Sequence, residues 1–202
     1  MAYRSDAYSG GFSEPVFDSQ STFKVVMDAM ARPGSIGEIK PAAVPPAPMG
    51  PGAGAIALAL CDHDTPVYLT PAMIDAGVQA WLAFHSGALV TGERSEAAFA
   101  FVEAGTPLPP LSTFAVGSQE YPDRSTTVVF ALPSLTGGQA LVLEGPGIDG
   151  STEIAPTGLP PHFEAMWAEN RLLYPRGADL VLAAGSQILC LPRTTKITRK
   201  EA

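Results

Sequence analysis

Residues 67–84 read VYLTPAMIDAGVQAWLAF and combine the pattern of a buried strand with that of an amphipathic helix. The apolar run Val67–Leu69 predicts a short strand, and Thr70 and Pro71 after it provide a helix cap and a proline in the first helical turn. The helix predicted from this start reaches about Phe84, and four apolar residues at helical spacing form its buried face: Ile74, Val78, Trp81 and Leu82. A strand followed directly by a helix is typical of an α/β fold.

Another helix is predicted N-terminal to this unit, at residues 18–34. Asp18 or Ser19 can cap its start, because a short oxygen-bearing side chain accepts a hydrogen bond from a free N–H of the first turn. Apolar residues three and four positions apart predict its buried face: Phe23, Val26, Met27 and Met30. Arg32-Pro33-Gly34 predicts its end, since the residue before a proline leaves the helical region and glycine permits the turn.

A proline-rich loop is predicted at residues 41–54, which contain five prolines: Pro41, Pro45, Pro46, Pro48 and Pro51. We interpret it as an extended surface segment or a strap that covers part of the fold. It lies too near the N-terminus to separate two domains. The alanine-rich run after it, with Ile56, Leu58 and Leu60, predicts a buried helix, although the alternation of these residues also fits a strand.

The C-terminal half is predicted to be rich in strands. Apolar runs at residues 126–132 and 139–144, joined by a glycine-containing turn at 133–138, predict a strand pair. Runs at residues 179–183 and 187–191 around Ala184-Gly185-Ser186 predict a hairpin, and a helix is predicted at residues 162–172. Together the elements predict one α/β domain over residues 1–202, with a mixed sheet and helices on both of its faces.

The composition of the chain limits the kinds of partner that it can have. Of its 202 residues 46% are hydrophobic and only 16% are charged, so part of the surface must be neutral or apolar. Such patches often mark a partner interface. With 12 basic against 20 acidic residues the net charge is −8, and no cluster of lysine and arginine offers the basic face that a nucleic-acid backbone requires. The sequence therefore predicts protein contacts and no nucleic acid.

The N-terminus lacks the basic and then apolar profile of a secretory signal peptide, and the longest purely apolar run covers only residues 55–61. A membrane-spanning helix needs about 20 apolar residues, so we expect a cytoplasmic protein without a membrane segment. Cys61 and Cys190 belong to no Cys-X-X-Cys motif, which argues against a zinc site or a redox dithiol. Their apolar neighbours are typical of buried thiols, although a disulfide between the two stays open.

Two short motifs imitate functional sites. Cys61-Asp62-His63-Asp64 offers metal-binding side chains, but four adjacent residues cannot all point at one ion, and an aspartate-rich turn explains the run without function. Residues 145–150 read GPGIDG, which matches the dinucleotide-binding fingerprint. That fingerprint needs backbone N–H groups aimed at a pyrophosphate and a helix that starts at the loop. Pro146 has no N–H and residues 152–156 predict a strand, so we interpret the motif as a tight turn.

No catalytic set can be assembled from the remaining residues. The chain has no phosphate loop ending in Gly-Lys-Ser or Gly-Lys-Thr and no Gly-X-Ser-X-Gly elbow. None of its four lysines follows a phosphate-binding serine as in a pyridoxal enzyme. Arg32 and Arg193 each stand beside a proline at the end of a predicted element, where an arginine can bind an anion or pair with a carboxylate of the chain itself. We therefore predict Arg32 and Arg193 as ligand contacts, and no catalytic residue, metal or cofactor.

Several motifs follow one another along nearly the whole chain. They are residues 11–16 (GFSEPV), 18–20 (DSQ), 30–34 (MARPG), 64–67 (DTPV), 135–138 (LTGG), 145–148 (GPGI), 174–177 (YPRG) and 191–195 (LPRTT). In these motifs the chain resembles the H subunit of the bacterial carbon–phosphorus lyase core complex, which serves the use of phosphonates. The proline-rich residues 41–54 depart most from the pattern of that family.

The resemblance implies a three-layer αβα sandwich with a mixed sheet, similar to the pyridoxal-phosphate-dependent transferases but without the cofactor and its lysine. It also implies assembly with the G, I and J subunits. In that pathway ATP and an alkylphosphonate give a ribose 1-phosphonate 5-triphosphate with loss of adenine. Radical, iron–sulfur-dependent cleavage of the carbon–phosphorus bond follows on another subunit. The resemblance supplies no catalytic residue for the H subunit.

Two functions follow from the sequence. The chain is either a non-catalytic subunit of that complex, forming a symmetric homodimer when isolated, or a stand-alone enzyme or binding protein for a phosphorylated ligand. In the second case Arg32, Arg193 or the turn at residues 145–150 would hold the ligand. The lack of a catalytic set favours the first function.

Overall fold

The computed structural model describes residues 5–40 and 43–200 of the chain. Within these ranges the α-helices are α1 (Pro15–Ala31), α2 (Pro51–Leu60), α3 (Pro71–Asp75), α4 (Val78–His85) and α5 (Phe163–Arg171). The first five strands are β1 (Ile36–Glu38), β2 (Val67–Leu69), β3 (Val90–Thr91), β4 (Phe99–Val102) and β5 (Thr127–Ala131). The other strands are β6 (Leu141–Glu144), β7 (Thr152–Ile154), β8 (Asp179–Ala184), β9 (Gln187–Leu191) and β10 (Lys196–Arg199).

A seven-stranded mixed sheet forms the centre of the fold, in the order β1-β9-β8-β5-β4-β2-β3. Strands β3, β2, β4, β5 and β8 run parallel to one another, whereas β9 is antiparallel to both β8 and β1. The central strands β5 and β8 are buried on both faces, which is why their sequences are continuous apolar runs without alternation. The predicted α/β class with a mixed sheet is confirmed.

Each face of the central sheet is covered by its own hydrophobic cluster. On one face, α1, α2, α3 and α4 pack on the sheet around Ile56 and Trp81. On the other face, α5 contributes Phe163 and Trp167, next to a three-stranded antiparallel sheet in the order β10-β6-β7. Helices therefore lie on both faces, as predicted, but the second outer layer also contains a small sheet.

The predicted pairing of residues 126–132 with residues 139–144 is wrong. Strand β5 lies between β4 and β8 in the central sheet, while β6 pairs with β7 and β10 in the small sheet. The burial of β6 alternates, with Leu141 and Leu143 buried, as expected for a strand that covers the core with one face. The turn between the strands leads from one sheet to the other, and the N–H of Gly138 donates to the carbonyl of Ala155 at 2.7 Å. The hairpin predicted from residues 179–183 and 187–191 is confirmed as the antiparallel pair β8–β9.

The helix predicted from Thr70 to about Phe84 is two helices, α3 and α4. Gly77 separates them with a φ of +89°, a conformation that glycine adopts readily and that ends a regular helix. Val78, Trp81 and Leu82 are buried in α4 as predicted. Ile74 is 41% exposed, because the break at Gly77 turns α3 away from the face that α4 presents to the core.

Helix α1 begins at Pro15, before the predicted caps, and its buried face differs from the predicted one. Asp18 lies inside the first turns, where its Oδ2 accepts hydrogen bonds from the N–H of Glu14 at 2.9 Å and from the Ser13 hydroxyl at 3.3 Å. The buried residues of α1 are Asp18, Thr22, Val26 and Ala29. Phe23 and Met27, predicted to be buried, are about half exposed. Small side chains face inward because α1 packs on α2, whose first five residues are the small Pro-Gly-Ala-Gly-Ala.

The end of α1 agrees with the prediction, and the proline-rich segment agrees with it in part. The helix stops at Ala31, as Arg32-Pro33-Gly34 predicts. Residues 41 and 42 lie outside the described residues, residues 43–50 form a loop, and Pro51 already begins α2. The helical alternative for the alanine-rich run is therefore confirmed. In the described part of the chain, no helix combines the length and apolar character needed to cross a bilayer.

Candidate functional site

Three adjoining cavities surround residues 32–38 at the edge of the central sheet. A cavity of about 340 Å³ lies between α1 and strand β1, and one of about 320 Å³ lies between Arg32-Pro33-Gly34 and the turn at residues 145–150. A third, of about 210 Å³, extends from Gly34 and Ile36 to the hairpin of β6 and β7. We call this concave region the 32–38 cleft. It brings together the motifs at residues 30–34, 135–138 and 145–148, which are far apart in the sequence.

The turn at residues 145–150 is held against the end of α1. Gly147 has a φ of +82°, and a Cβ on it would lie only 2.1 Å from the carbonyl oxygen of Ala31. A Cβ on Gly145 would lie 3.2 Å from the carbonyl oxygen of Thr194. The turn therefore connects the region of Arg32 with that of Arg193. No helix follows it, since β7 begins at Thr152, so the interpretation as a tight turn between strands is confirmed.

Arg32 lines two of the three cavities and is open to solvent. Its side chain is 67% exposed, and Nη2 lies 3.5 Å from Oδ1 of Asp28, a long and weak ion pair. Asp28 pairs more closely with Lys24, at 2.7 Å. The hydrogen bond from Lys24, together with the charges of Lys24 and Arg32, lowers the pKa of Asp28 below its ordinary value. The guanidinium of Arg32 is therefore accessible to an anion that enters the cleft.

Arg193 lies in a different environment, because the chain itself supplies acceptors for its guanidinium. Nε donates to Oδ1 of Asp179 at 3.1 Å, and Nη2 donates to Oδ2 of the same carboxylate and to the Ser125 hydroxyl at 2.6 Å. Nη1 donates to the carbonyl of Pro122 at 2.7 Å. The side chains of Arg193 and Asp179 are only 14% and 19% exposed. The sequence allowed two roles for Arg193, an anion contact or an ion pair within the chain, and this geometry favours the ion pair. A ligand contact of Arg193 stays a prediction.

The Cys61-Asp62-His63-Asp64 run forms a turn. Oδ1 of Asp62 accepts hydrogen bonds from the N–H of Asp64 at 3.0 Å and from the Thr65 hydroxyl at 2.8 Å, which is the pattern of an Asx turn. His63 and Asp64 point into solvent, and Cys61 is buried in the core. Burial, with a smaller effect of the Asp62 charge, raises the pKa of the Cys61 thiol. Across residues 5–40 and 43–200, no three histidine, cysteine or acidic side chains come together as metal ligands.

A buried carboxylate, Glu103, has no counterpart among the residues predicted from the sequence. It follows β4 directly and accepts hydrogen bonds from the hydroxyl of Thr70, after β2, and from that of Thr106. The signal in the sequence was a glutamate placed directly after an apolar strand. Both carboxylate oxygens are occupied by hydroxyl donors, so Glu103 fixes the two loops at the carboxyl ends of neighbouring parallel strands.

The chemistry of the 32–38 cleft is that of a shallow binding surface. No histidine, cysteine or lysine lines its three cavities as formed by the described residues. Its linings contribute serine and threonine hydroxyls, the Arg32 guanidinium, and the carboxylates of Asp28, Glu38, Asp149 and Glu153. Fold and cleft together define an α/β protein with an open, mixed-charge surface cleft.

The family of this protein is identified by a match that covers nearly the whole chain. The family model described as bacterial phosphonate metabolism protein (PhnH) matches residues 10–198. The chain is a member of the PhnH family.

Two relatives agree with this assignment. The alpha-D-ribose 1-methylphosphonate 5-triphosphate synthase subunit PhnH of Rhizobium meliloti (strain 1021) is 54% identical over 200 residues, which cover 99% of this chain and all of the relative. HtxG of Stutzerimonas stutzeri, assigned as a C-P lyase subunit, is 35% identical over 91 residues, which cover 45% of this chain and 47% of the relative. The family resemblance carried by the sequence motifs is confirmed.

Proposed function

We propose that the chain is a non-catalytic subunit of the complex that forms alpha-D-ribose 1-methylphosphonate 5-triphosphate during the breakdown of organic phosphonates. The observation that carries this proposal is the 54% identity with a synthase subunit over the full length of both chains. The chemistry of the 32–38 cleft is compatible with it, since no histidine, cysteine or lysine of the described residues lines the cleft.

The partners in this proposal are the G, I and J subunits of the complex, in the cytoplasm. For the isolated chain we propose a symmetric homodimer, the commonest closed arrangement when no other partner is present. Support comes from the large apolar side chains that the described surface leaves exposed, including Val16 at 77% and Phe17 at 70%. Contiguous exposed apolar groups of this size mark interaction surfaces in soluble proteins.

We further propose that the fold is a cofactor-free relative of the pyridoxal-phosphate-dependent transferases. Its five parallel strands flanked by helices are compatible with that relationship. Each of the four lysine side chains is at least half exposed and lies within 3.0 Å of a carboxylate oxygen. A lysine that forms a Schiff base needs instead a desolvated position that lowers its pKa.

A second candidate function is favoured by Arg32 alone. Its exposed guanidinium at the junction of two cavities suits a phosphorylated ligand, which the chain would bind, or convert, without partners. The turn at residues 145–150 lines one of these cavities and would then form the opposite side of the site, while Arg193 remains an alternative contact elsewhere.

The two functions are separated by co-expression and by activity. The chain, produced with the G, I and J subunits of its own complex and with a tag on the I subunit, is expected to co-purify in stoichiometric amount. The isolated chain is expected to leave ATP and methylphosphonate unchanged. Turnover by the isolated chain that disappears in Arg32→Ala would contradict the subunit proposal and support the second function.

A further inference from the structure

Arg176, in the motif at residues 174–177, differs from the other described lysines and arginines in having no partner for its side chain. Seven of the others form an ion pair with a carboxylate. Arg94 and Arg124 lie over tyrosine rings, and Arg171 donates to a backbone carbonyl. No carboxylate, carbonyl or aromatic ring of the described chain accepts a hydrogen bond from the Arg176 guanidinium or stacks on it.

The guanidinium of Arg176 has one closed end and one open end, in a side chain that is half buried. Nε is closed to solvent and has no acceptor in the described chain, although nearly all buried donors in folded proteins have one. Nη1 and Nη2 are not closed to solvent in this way. The buried stem therefore holds the group with the fork of its two terminal nitrogens outward.

The backbone on both sides of Arg176 is fixed by hydrogen bonds. Its own N–H donates to the carbonyl of Leu173 at 3.0 Å, and the N–H of Gly177 donates to the carbonyl of Val116 at 2.9 Å. Gly177 also packs closely on Asn170, where a Cβ would lie 3.0 Å from the backbone and side-chain oxygens. Because the turn is already rigid, little conformational freedom would be lost when this arginine binds an acceptor.

The carboxylate that the fold brings to this turn is not available to Arg176. Asp179 is engaged through both of its oxygens by Arg193. Arg193 itself lies against the turn, since its Nη1 is 3.4 Å from the carbonyl oxygen of Pro175. The one carboxylate bound here thus compensates one arginine and leaves the other without a counter-charge.

Other acidic residues of the neighbouring segments do not take its place. Glu120, Asp123 and Glu169 are all exposed, and none of them forms an ion pair with a described lysine or arginine. An acceptor for the outward fork of Arg176 must therefore come from outside the described chain.

The chemistry of that acceptor follows from the shape of the fork. Two parallel N–H groups match two oxygens of a carboxylate or of a phosphorus oxyanion, and arginine is the side chain that proteins use for such bidentate contacts. Partial burial strengthens the contact, because water and salt screen it less.

We propose that Arg176 is an anion-binding residue, whose terminal nitrogens take an oxyanion from outside the chain. Two sources share this chemistry, a small phosphate or phosphonate and a carboxylate side chain of a bound protein, and the experiments below separate them. The inference is drawn from the turn alone and does not depend on the proposed function.

The first experiment measures the melting temperature of the isolated chain without added anion. Arg176→Met keeps an apolar stem and removes the buried Nε, so it is expected to melt roughly 2–4 °C above the wild type. Arg124→Met removes the same charge from an exposed arginine and is expected to melt within about 1 °C of the wild type. A lower melting temperature for Arg176→Met would show that the arginine stabilises the fold, and would overturn the proposal.

The second experiment adds inorganic pyrophosphate or methylphosphonate at constant ionic strength. If the source is a small ligand, one of these anions raises the melting temperature of the wild type and of Arg124→Met. The same anion is then expected to have no effect on Arg176→Met and little effect on Arg176→Lys, which keeps the charge but loses the fork. A shift that persists in Arg176→Met assigns the anion to another site and contradicts a small ligand at Arg176.

The third experiment tests a protein carboxylate as the source, in the co-expression described above and by light scattering of the isolated chain. In that case Arg176→Met is expected to reduce co-purification with the tagged I subunit at least tenfold, or to dissociate a wild-type homodimer, while Arg124→Met does neither.

Wild-type behaviour of Arg176→Met towards the anions, in co-purification and in light scattering overturns the proposal. A wild-type chain that fails to co-purify contradicts the proposed function instead, and the anion titration and light scattering then decide the role of Arg176.

Discussion

The contact between Gly147 and the end of α1 depends on the absence of a side chain. The carbonyl oxygen of Ala31 occupies the position that a Cβ would take, and the φ of +82° is itself unfavourable for other residues. Gly150, in the same turn, has a similar φ of +67° but nothing within 4 Å of its Cβ position. An alanine at Gly150 would add only backbone strain, whereas an alanine at Gly147 would add the same strain and a collision. Comparing the two positions therefore gives the energetic cost of the collision alone.

Gly147→Ala is expected to lower the free energy of unfolding by about 3 kcal/mol, since it adds a backbone collision to the conformational strain. Gly150→Ala is expected to cost only about 1 kcal/mol, because it adds the strain alone. Urea denaturation of both variants measures the difference. Equal losses would show that the turn moves away from α1 at little cost, and that the 32–38 cleft is less rigid than the structure indicates.

At the scale of elements, one ion pair connects three parts of the chain. Arg193, after β9, binds Asp179 at the start of β8 and also the turn at residues 122–125. Because both side chains are largely buried, removal of one partner leaves the other charge without compensation. The pair therefore fixes the amino end of β8 against the loop that precedes β5.

Arg193→Ala is expected to lower the free energy of unfolding by about 3 kcal/mol, and Arg193→Lys by somewhat less, since lysine keeps the charge but loses the fork of donors. Arg32→Ala, which removes an exposed arginine with one long ion pair, is expected to change it by less than about 0.5 kcal/mol. Thermal and urea denaturation give the comparison. A wild-type stability for Arg193→Ala would show that this ion pair contributes little to folding, and would favour the ligand contact predicted for Arg193.

The elements also indicate how far the sequence predicts this fold. Strand β2, the hairpin of β8 and β9 and the end of α1 are predicted because local patterns determine them: apolar runs, a short turn, and a proline followed by a glycine. The partner of β5 is predicted wrongly, because an apolar run buried on both faces fits any central position in a sheet. The buried face of α1 is predicted wrongly, because helical spacing identifies an apolar stripe without telling what covers it.

The candidate site, too, is predicted from the sequence only where local patterns determine it. Arg32 and the turn at residues 145–150 are singled out by the sequence, and the structure brings them together in the 32–38 cleft. Arg193 binds Asp179, which is 14 residues away in the sequence, and Pro122 and Ser125, which are about 70 residues away. No local sequence pattern predicts these tertiary contacts. The carboxylate of Glu103 is found only when the loops after β2 and β4 are seen side by side.

At the scale of the whole molecule, the two cysteines report on the integrity of the core. Both are buried and free, and both belong to the cluster between the central sheet and α1–α4. Burial, with a smaller effect of the Asp179 charge, raises the pKa of Cys190 from 9.0 to about 12, and burial likewise raises that of Cys61. Since the folded state holds both thiols neutral, their contribution to stability is complete below pH 9.0 and is lost as the pH rises towards about 12.

Stability is therefore expected to fall between about pH 8 and pH 10.5, by roughly 2 kcal/mol for each thiol, because the unfolded thiols ionise in this range and the folded ones do not. Urea denaturation at the two pH values, under reducing conditions, measures the loss. Cys61→Ala/Cys190→Ala is the control, since its remaining loss comes from the other groups that titrate there. The same loss in the wild type and in the double variant would show that the thiols are more accessible than their burial indicates.

The pairing of β1 with β9 determines how late in synthesis the central sheet can form its β1 edge. Ile36 pairs with Leu189, so the strand next to α1 waits for a partner made 153 residues later. At the usual pace of about 5–20 residues per second, that interval lasts roughly 8–30 s on the ribosome. Until then α1 has no finished sheet edge beneath it. A chain that ends before β9 therefore leaves β1 without the strand that it pairs with in the described structure, and α1 without the sheet edge on which it packs.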